Sequence, residues 1–419
     1  MHKIVFVNRY CYPDESATSQ LVSDLAFSLA RDGFQVHLIA SRQLHNDPLA
    51  VLPVIDEIEE VQVKRVWTSR WGRRSLPGRA LDYFTFYFSA SAAVFKLVRR
   101  GDVVVAKTDP PLLGSALAVV CWLRRCRLVN WLQDIYPEIA EHLNVAGPAL
   151  LGRVLRGIRN QTCRGAARNV AIGRCMQEHL LAEGISPERM TVIPNWVNDD
   201  FIQPLPADQN PLRQAWGLEN RFVVGYSGNM GLVHDFDSLL AAAHQLRKDQ
   251  SIEFLLIGDG ARRSELEARV HMSRLDCVMF QPSQPVMRLN HSLTLPDVHI
   301  VTLRADLVGL IVPSKAYGAL AAGRPVIFVG PGQCEIARLI REWNCGICMA
   351  DVPGESLAAV IVKLRDDPAR CALLGANARR ALEESCSRAK ALEAWRQVVG
   401  DLVRSPVDAV ASTGTQVTP

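Results

Sequence analysis

The sequence predicts an α/β chain built on two doubly wound parallel sheets, and three observations carry that reading. Short β-branched or apolar runs alternate with helix-period segments over almost the whole length. The 419 residues are too many for one ordinary core and suit two. A Pro/Asn/Asp-rich stretch, Pro194 to Asp200 followed by Pro204, Pro206 and Pro211, splits the alternation into halves and reads as a linker. With 48% hydrophobic and 21% charged residues, the composition excludes a disordered, collagen-like or fibrous chain.

In the first half, strands are expected at Lys3–Asn8, Val36–Ala40, Val61–Trp67, Val103–Ala106, Leu128–Leu132 and Asn169–Ile172. Leu21, Leu25 and Leu29 share one helix face between the first two, and Gly33 stops that helix. In the second half, strands are expected at Arg221–Ser227, Glu253–Ile257, Cys277–Phe280, Val298–Thr302, Pro325–Val329 and Gly346–Met349. Strand, helix and strand in repetition imply parallel sheets covered by helices on both faces. The expected division is a first domain over 1–198, a second over 199–385, a helix at 386–404 packing back on the first, and a disordered tail at 405–419. In paired domains of this kind ligands sit at the carboxyl ends of the strands, so a cleft between the two is the expected active site.

Charge is informative by region. Residues 1–60 hold 4 Lys or Arg against 9 Asp or Glu, whereas residues 61–174 hold 19 against 6, a net +13. The basic stretch interleaves Trp67 and Trp71 with Arg70, Arg73 and Arg74, then runs Tyr83, Phe84, Phe86, Tyr87 and Phe88, then an arginine ladder from Arg153 to Arg168. One reading makes the aromatics core and the arginines a solvated face; the other makes the stretch a dock for an anionic membrane surface. No nucleic-acid module is legible, so nucleic acid is not an expected partner.

The longest nearly apolar run, Leu112 to Leu123, is too short to cross a bilayer, and the start of the chain turns polar too quickly for a signal peptide. A cytoplasmic protein, peripheral on the inner face of the membrane, is expected. The 11 cysteines are scattered along the chain and odd in number, which predicts reduced, packed thiols and no metal site.

Three loops at strand ends of the second half could carry chemistry. Tyr226-Ser227-Gly228-Asn229-Met230-Gly231 leads into a helix, and its glycines let backbone amides approach a phosphate. Gly258-Asp259-Gly260 leads into Arg262 and Arg263, and Pro313-Ser314-Lys315 opens a further helix with a cation suited to a diphosphate. Singly each is an ordinary βα turn; their common position at one edge of one sheet favours a site. Asp235-Phe236-Asp237 reads as a helix start rather than a metal motif, and His142, His179 and His271 read as surface or packing residues. Neither half carries the glycine fingerprint of a nicotinamide-binding fold.

The run YSGNMG, LLIGDG, LVGLIVPSKAYGALAAGRPVIF and then Glu335 in GQCEIA resembles the donor domain of glycosyltransferase family 4. The N-terminal segments NRYCYPDESATSQ, TDPPLLG, WLQDIYPE and VIPNWVNDDF resemble its acceptor domain and interdomain crossing, so the resemblance covers about residues 1 to 400. It is closest to the branch that builds bacterial O-antigen, capsule and colanic acid. The resemblance implies the GT-B fold, with two Rossmann-like domains facing a central cleft. It also implies a nucleotide-sugar donor (UDP- or GDP-sugar), a lipid-linked (polyprenyl-diphosphate) or oligosaccharide acceptor, retention of configuration and no obligatory cofactor.

By the same resemblance Gly228, Asn229 and Gly231 lie under the donor diphosphate, joined by Gly258, Gly260 and Ser314. Lys315 neutralises the leaving diphosphate together with Arg262. Glu335 faces the transferred sugar, and Asp134 points at the reacting centre from the first domain. Tyr12, Ser16, Ala17 and Thr18 form the acceptor and diphosphate loop. Three departures stand out. Leu310 and Gly318 occupy the places of a glutamate pair, leaving Glu335 and Asp306 to hold hydroxyls. Asn229 and His234 replace an arginine and a lysine of the glycine loop. Trp131 stands for a histidine of the first domain's catalytic loop. A sugar-nucleotide-binding partner without activity and a nucleotide-sugar epimerase are the competing readings.

Overall fold

The computed structural model describes residues 2–47, 49–72, 76–143, 145 and 148–404. Arg73, Arg74 and the tail expected to be disordered lie outside them. The described residues divide into two compact units, one reaching to Ile193 and taking in the described chain from Ala391 onward, the other Pro194–Lys390.

Among its described residues the first unit holds eight strands: β1 (Lys3–Val7), β2 (Gln35–Ser41), β3 (Ile55–Ile58), β4 (Val61–Val66), β5 (Val103–Lys107), β6 (Arg127–Leu132), β7 (Arg168–Ala171) and β8 (Met190–Val192). Their order is β3-β4-β2-β1-β5-β6-β7-β8, and only β3 runs antiparallel to its neighbour. Strand β1 pairs with β2 on one side and β5 on the other, so the winding reverses between β1 and β5. The helices are α1 (Ala17–Arg31), α2 (Leu76–Leu97), α3 (Leu113–Arg124), α4 (Glu138–His142), α5 (Ala149–Gly165) and α6 (Arg174–Ala182).

In the second unit the strands are β9 (Phe222–Ser227), β10 (Ile252–Ile257), β11 (Val278–Gln281), β12 (Val298–Thr302), β13 (Val326–Val329) and β14 (Gly346–Cys348). They form an all-parallel sheet in the order β11-β10-β9-β12-β13-β14, reversing between β9 and β12. Its helices are α7 (Pro211–Ala215), α8 (Asp237–Leu246), α9 (Arg263–Met272), α10 (Leu289–Thr294), α11 (Lys315–Ala321), α12 (Glu335–Trp343), α13 (Leu357–Asp366) and α14 (Pro368–Ala381). The last helix, α15 (Arg388–Arg404), groups with the first unit from Ala391 onward.

Central strands are apolar runs because both faces are covered: all six residues of β10 and all five of β5 and β12 are buried. In the first unit Trp131 and Trp395 pack at 4.7 Å between ring centroids, joining β6 to α15. Helix α1 ends as its sequence requires, with Gly33 at φ 85°, where a side chain would be strained.

The boundary between the units falls between Ile193 and Pro194, where the Pro/Asn/Asp-rich stretch begins. Within that stretch Asn195, Trp196 and Ile202 are buried, and Pro204, Pro206 and Pro211 are exposed. Strands β3 and β8 were not expected: β3 is joined to β4 through Glu59 and Glu60 at φ 48° and 65°, a turn usually built from Asn or Gly, and β8 has only three residues. None of the 11 cysteines forms a disulfide, and most of them are buried as small apolar groups.

Candidate functional site

The carboxyl ends of β9, β10 and β12 place most of the second unit's expected residues together. Strand β9 ends at Ser227, and the chain turns at Gly228 with φ 126°. A Cβ on Gly228 would lie 3.0 Å from Lys315 Cε, so the lysine stem lies across a bare backbone. The β10 loop packs against this turn main chain to main chain. Gly228 N donates to Ile257 O at 2.9 Å, and Met230 N to Asp259 O at 2.7 Å. Gly258 and Gly260 sit at φ 135° and 149°; a Cβ at the first would be 2.2 Å from Gly228 O, and at the second 2.6 Å from Met230 N. Gly228 and Asn229 themselves are exposed. The glycines therefore produce a stacked pair of loops with open main chain on top.

Lys315 completes this cluster. Its Nζ lies 2.7 Å from His234 Nε2 and 5.3 Å from the centre of the Tyr226 ring. His234 Nδ1 is 2.8 Å from Thr302 O, a carbonyl that can only accept. The ring therefore carries its proton on Nδ1 and presents a bare Nε2 to the ammonium. Burial, with the charge of Lys315 beside it, pushes His234 down to about 3. Burial alone lowers Lys315 to about 7. Tyr226 fixes the loop from below, donating its hydroxyl to Asn229 O at 2.8 Å. His234 thus orients the lysine without competing charge, a role legible in the sequence only as a departure from the family pattern.

The other expected residues of this unit are spread along the same edge. Arg262 reaches the cluster through His234 O at 3.3 Å, but its guanidinium is held by Glu265 at 2.8 Å. Ser314 is exposed just before Lys315. Asp306, after β12, pairs with Arg304 at 2.7 Å. Glu335 opens α12 after β13 and is buried. Leu310 and Gly318, in the places of the glutamate pair, are both buried, and a Cβ on Gly318 would meet Leu293 at 3.3 Å. Asp235 accepts from Asp237 N and the Ser238 hydroxyl, as a residue opening a helix does.

The first unit builds a second cluster at its own reversal point. Thr18, at the start of α1, donates to Asp109 Oδ2 at 3.2 Å, and Lys107 Nζ donates to Thr18 O at 2.9 Å. Asp134, at the end of β6, keeps a window to solvent; burial, then the charge of Asp109, pushes its carboxyl up to about 6. Asp109 is raised by burial, and Lys107 is lowered well below the usual lysine range for the same reason. Ser16 bonds Asp14 through its hydroxyl, which together with the His45 amide fixes the loop. Tyr12 and Ala17 are exposed on that loop, Tyr12 against Phe27. Lys107 and Asp109 were missed in the sequence because a lysine within an apolar strand and an aspartate before two prolines have no spacing signature. Trp131, which stands in the place of a catalytic-loop histidine, lies in the strand expected at Leu128–Leu132, buried, with its ring centre 4.0 Å from Lys107 Nζ.

Among the described residues one trio could hold a metal ion, Glu138, His179 and Glu183. Arg159 and Arg156 already lie 2.8 Å and 3.2 Å from Glu138 Oε1, so the trio is an ion-pair network.

A lysine of lowered affinity for protons makes anion binding depend on pH. An anion bound beside it favours the charged ammonium, so the part of its affinity that Lys315 supplies is expected to be full below about pH 7 and to fall above it, by up to about tenfold per unit. Calorimetric titration with UDP from about pH 6 to about pH 9 measures this slope, and Lys315→Met should flatten it.

Comparisons with known proteins agree with this architecture. Residues 18–201 match the model described as Glycosyltransferase Family 4, and residues 221–367 the model described as Glycosyl transferases group 1. The chain is 26% identical over 413 residues to "Probable glycosyltransferase WbjE" of Pseudomonas aeruginosa, covering 96% of this chain and 99% of that one. It is 27% identical over 272 residues to WcaI of Escherichia coli K12, whose name places it in colanic acid biosynthesis, covering 64% and 66%. The structure of Anabaena HepE in complex with UDP and glucose superposes with TM-score 0.70 at 17% identity, over 96% of this chain and all of that one. WaaG, a glycosyltransferase of lipopolysaccharide biosynthesis, gives 0.67 at 15% identity, over 95% and 100%.

Proposed function

Because the chain belongs to the glycosyltransferases, with a family 4 domain followed by a group 1 domain, we propose that it transfers a sugar from a nucleotide-diphosphate donor to a lipid-linked or oligosaccharide acceptor in bacterial surface polysaccharide assembly. The observation that carries the reading is Lys315, held 2.7 Å from an uncharged histidine beside the glycine turns. An ammonium so placed meets the charge that develops on a departing diphosphate, the largest need of this reaction. The UDP and glucose bound by HepE, and the colanic acid role in the name of WcaI, support the donor class and the polysaccharide setting.

In the proposed step the bond between the sugar C1 and the diphosphate oxygen breaks, and a bond from an acceptor hydroxyl to C1 forms on the same face. The electron pair leaves with the nucleoside diphosphate, and the hydroxyl proton follows it. Glycine-loop amides and Lys315 take the diphosphate. Asp134 and the loop of Tyr12, Ser16, Ala17 and Thr18 serve the acceptor side, and Glu335 and Asp306 the sugar hydroxyls. Lys315 supplies the charge, so activity is expected to survive EDTA and to need no added cofactor. Membrane association accompanies a lipid-linked acceptor, although among the described residues no helix is long and apolar enough to cross a bilayer.

The test is a panel of UDP-, GDP- and dTDP-sugars read by thermal shift, then by transfer to a polyprenyl-diphosphate-linked acceptor. One nucleotide class should raise the unfolding temperature in the parent and not in Lys315→Ala. No shift with any of them, or conversion of the donor with no acceptor present, would overturn the proposal.

A further inference from the structure

Helices α2, α3 and α5 cover one side of the first sheet, α2 against α3 and α3 against α5. The inner sides of α2 and α3 are ordinary core, with Phe86, Val94 and Leu117 against Val5, Val104 and Leu128, while α5 buries Gly152, Arg159, Asn160 and Cys163. Their outer sides are not ordinary. A surface helix normally turns polar side chains to water. On α2 the outward stripe is Leu81, Phe84, Phe88 and Phe95, with Phe88 75% exposed. On α3 it is Val119, Trp122 and Leu123, with Trp122 77% exposed. On α5 it is Leu150, Val154 and Ile158, again at helical spacing. Trp67, 64% exposed, sits beside α2, its carbonyl accepting from the Ser89 hydroxyl at 2.7 Å. Single exposed leucines need no explanation, but apolar stripes on three adjacent helices, with aromatic rings on two of them, do.

The charge on the same helices has one sign. Their sequences contain a single carboxylate, Asp82, which is buried and bonded to Arg9, the Ser69 hydroxyl and the Trp71 amide. Arg79, Lys96, Arg153 and Arg164 are exposed on these helices, and Arg99, Arg100 and Arg125 at their ends. Cations without carboxylates would repel a second copy of this face, and large apolar side chains gain nothing from a purely ionic partner. Both gain from lipid, whose phosphates meet the cations while the rings enter the boundary between headgroups and acyl chains.

We infer that the outer face of α2, α3 and α5 is a docking surface for an anionic lipid bilayer, held by shallow insertion of its apolar side chains as well as by charge. The inference goes beyond sugar transfer and does not rest on the donor site.

The test is sedimentation of the full chain with vesicles of phosphatidylglycerol and phosphatidylethanolamine, against vesicles of phosphatidylcholine, at low and high salt. The anionic vesicles should capture the protein, and part of that binding should survive high salt, because insertion is not screened. The variant Phe84→Ser/Phe88→Ser/Trp122→Ser should reduce the bound fraction at least about tenfold while keeping the parent's unfolding temperature. Brominated lipid should quench tryptophan fluorescence in the parent, and less in Trp122→Phe. No capture at low salt, undiminished capture of the triple variant, or capture wholly abolished by salt without quenching would overturn the inference. So would retention on an RNA oligonucleotide with none on vesicles. Because vesicle binding needs no sugar nucleotide, its failure is distinct from failure in the donor panel.

Discussion

Lys315→Ala is expected to lower turnover about a hundredfold, the usual consequence of deleting one well-placed donor worth about 3 kcal/mol to a transition state. The loss should fall on kcat as well as on kcat/KM, because charge on the diphosphate oxygen grows as the bond to the sugar breaks. Folding should not suffer. A lysine whose folded pKa is depressed to about 7 makes its poorest contribution to stability at low pH, and that burden lifts as pH rises from there toward the ordinary lysine value. Lys315→Met, which keeps the stem over Gly228, should therefore be at least as stable as the parent below pH 7, the advantage fading above it. Steady-state kinetics and thermal unfolding at two pH values measure both effects. Near-parental kcat in Lys315→Ala would remove this residue from the chemistry, and with it the main support for diphosphate binding here.

Most strands of both sheets were legible because a strand covered on both faces is buried along its whole length and so mostly apolar, as β5, β10 and β12 are apart from Lys107, Glu253, His299 and Thr302. The glycine loops were legible because each combines a strand end, glycines and a following helix. Pairings across the fold were not legible. Nothing in the sequence says that the fourth residue after Met230 will carry its proton toward Thr302 and its bare nitrogen toward Lys315, since three separate loops decide it. For the same reason the run from Tyr83 to Phe88 could be read as core or as surface, and it is both. One helix turns Phe86 inward and Phe84 and Phe88 outward, and only the position of the sheet settles which. The Lys107 and Asp109 pair was hidden because a buried lysine in an apolar strand reads as a strand, and its partner Thr18 is contributed by another loop.

Both units place their polar clusters where the winding reverses, between β1 and β5 and between β9 and β12. At that point the loops leaving two neighbouring strands turn to opposite faces and leave main chain uncovered between them. In the second unit this opening is filled by a lysine stem, and in the first by a threonine and an aspartate.

Gly258→Ala tests whether the stacked loops have to be bare. At φ 135° any side chain is strained, which costs about 1 to 3 kcal/mol. Here the added Cβ would also stand 2.2 Å from Gly228 O and 2.9 Å from Gly228 C, backbone atoms with no rotamer to change. The β9 loop must then move, breaking the bonds from Gly228 N to Ile257 O and from Met230 N to Asp259 O. A loss of at least about 3 kcal/mol follows from strain and a displaced main chain together. In a unit of this size that corresponds to roughly 6–12 °C in unfolding temperature. Gly33→Ala provides the comparison, because Gly33 also has positive φ, at 85°, but its Cβ would meet nothing within 4 Å. Strain alone should cost it about 1 to 2 kcal/mol and leave donor binding untouched. Scanning calorimetry of both variants, with and without UDP, separates the two terms. Gly258→Ala should lose stability and, where UDP raises the unfolding temperature of the parent, that rise as well. If it behaves like Gly33→Ala on both counts, close approach of the two loops is not what holds Lys315 and the exposed main chain in place.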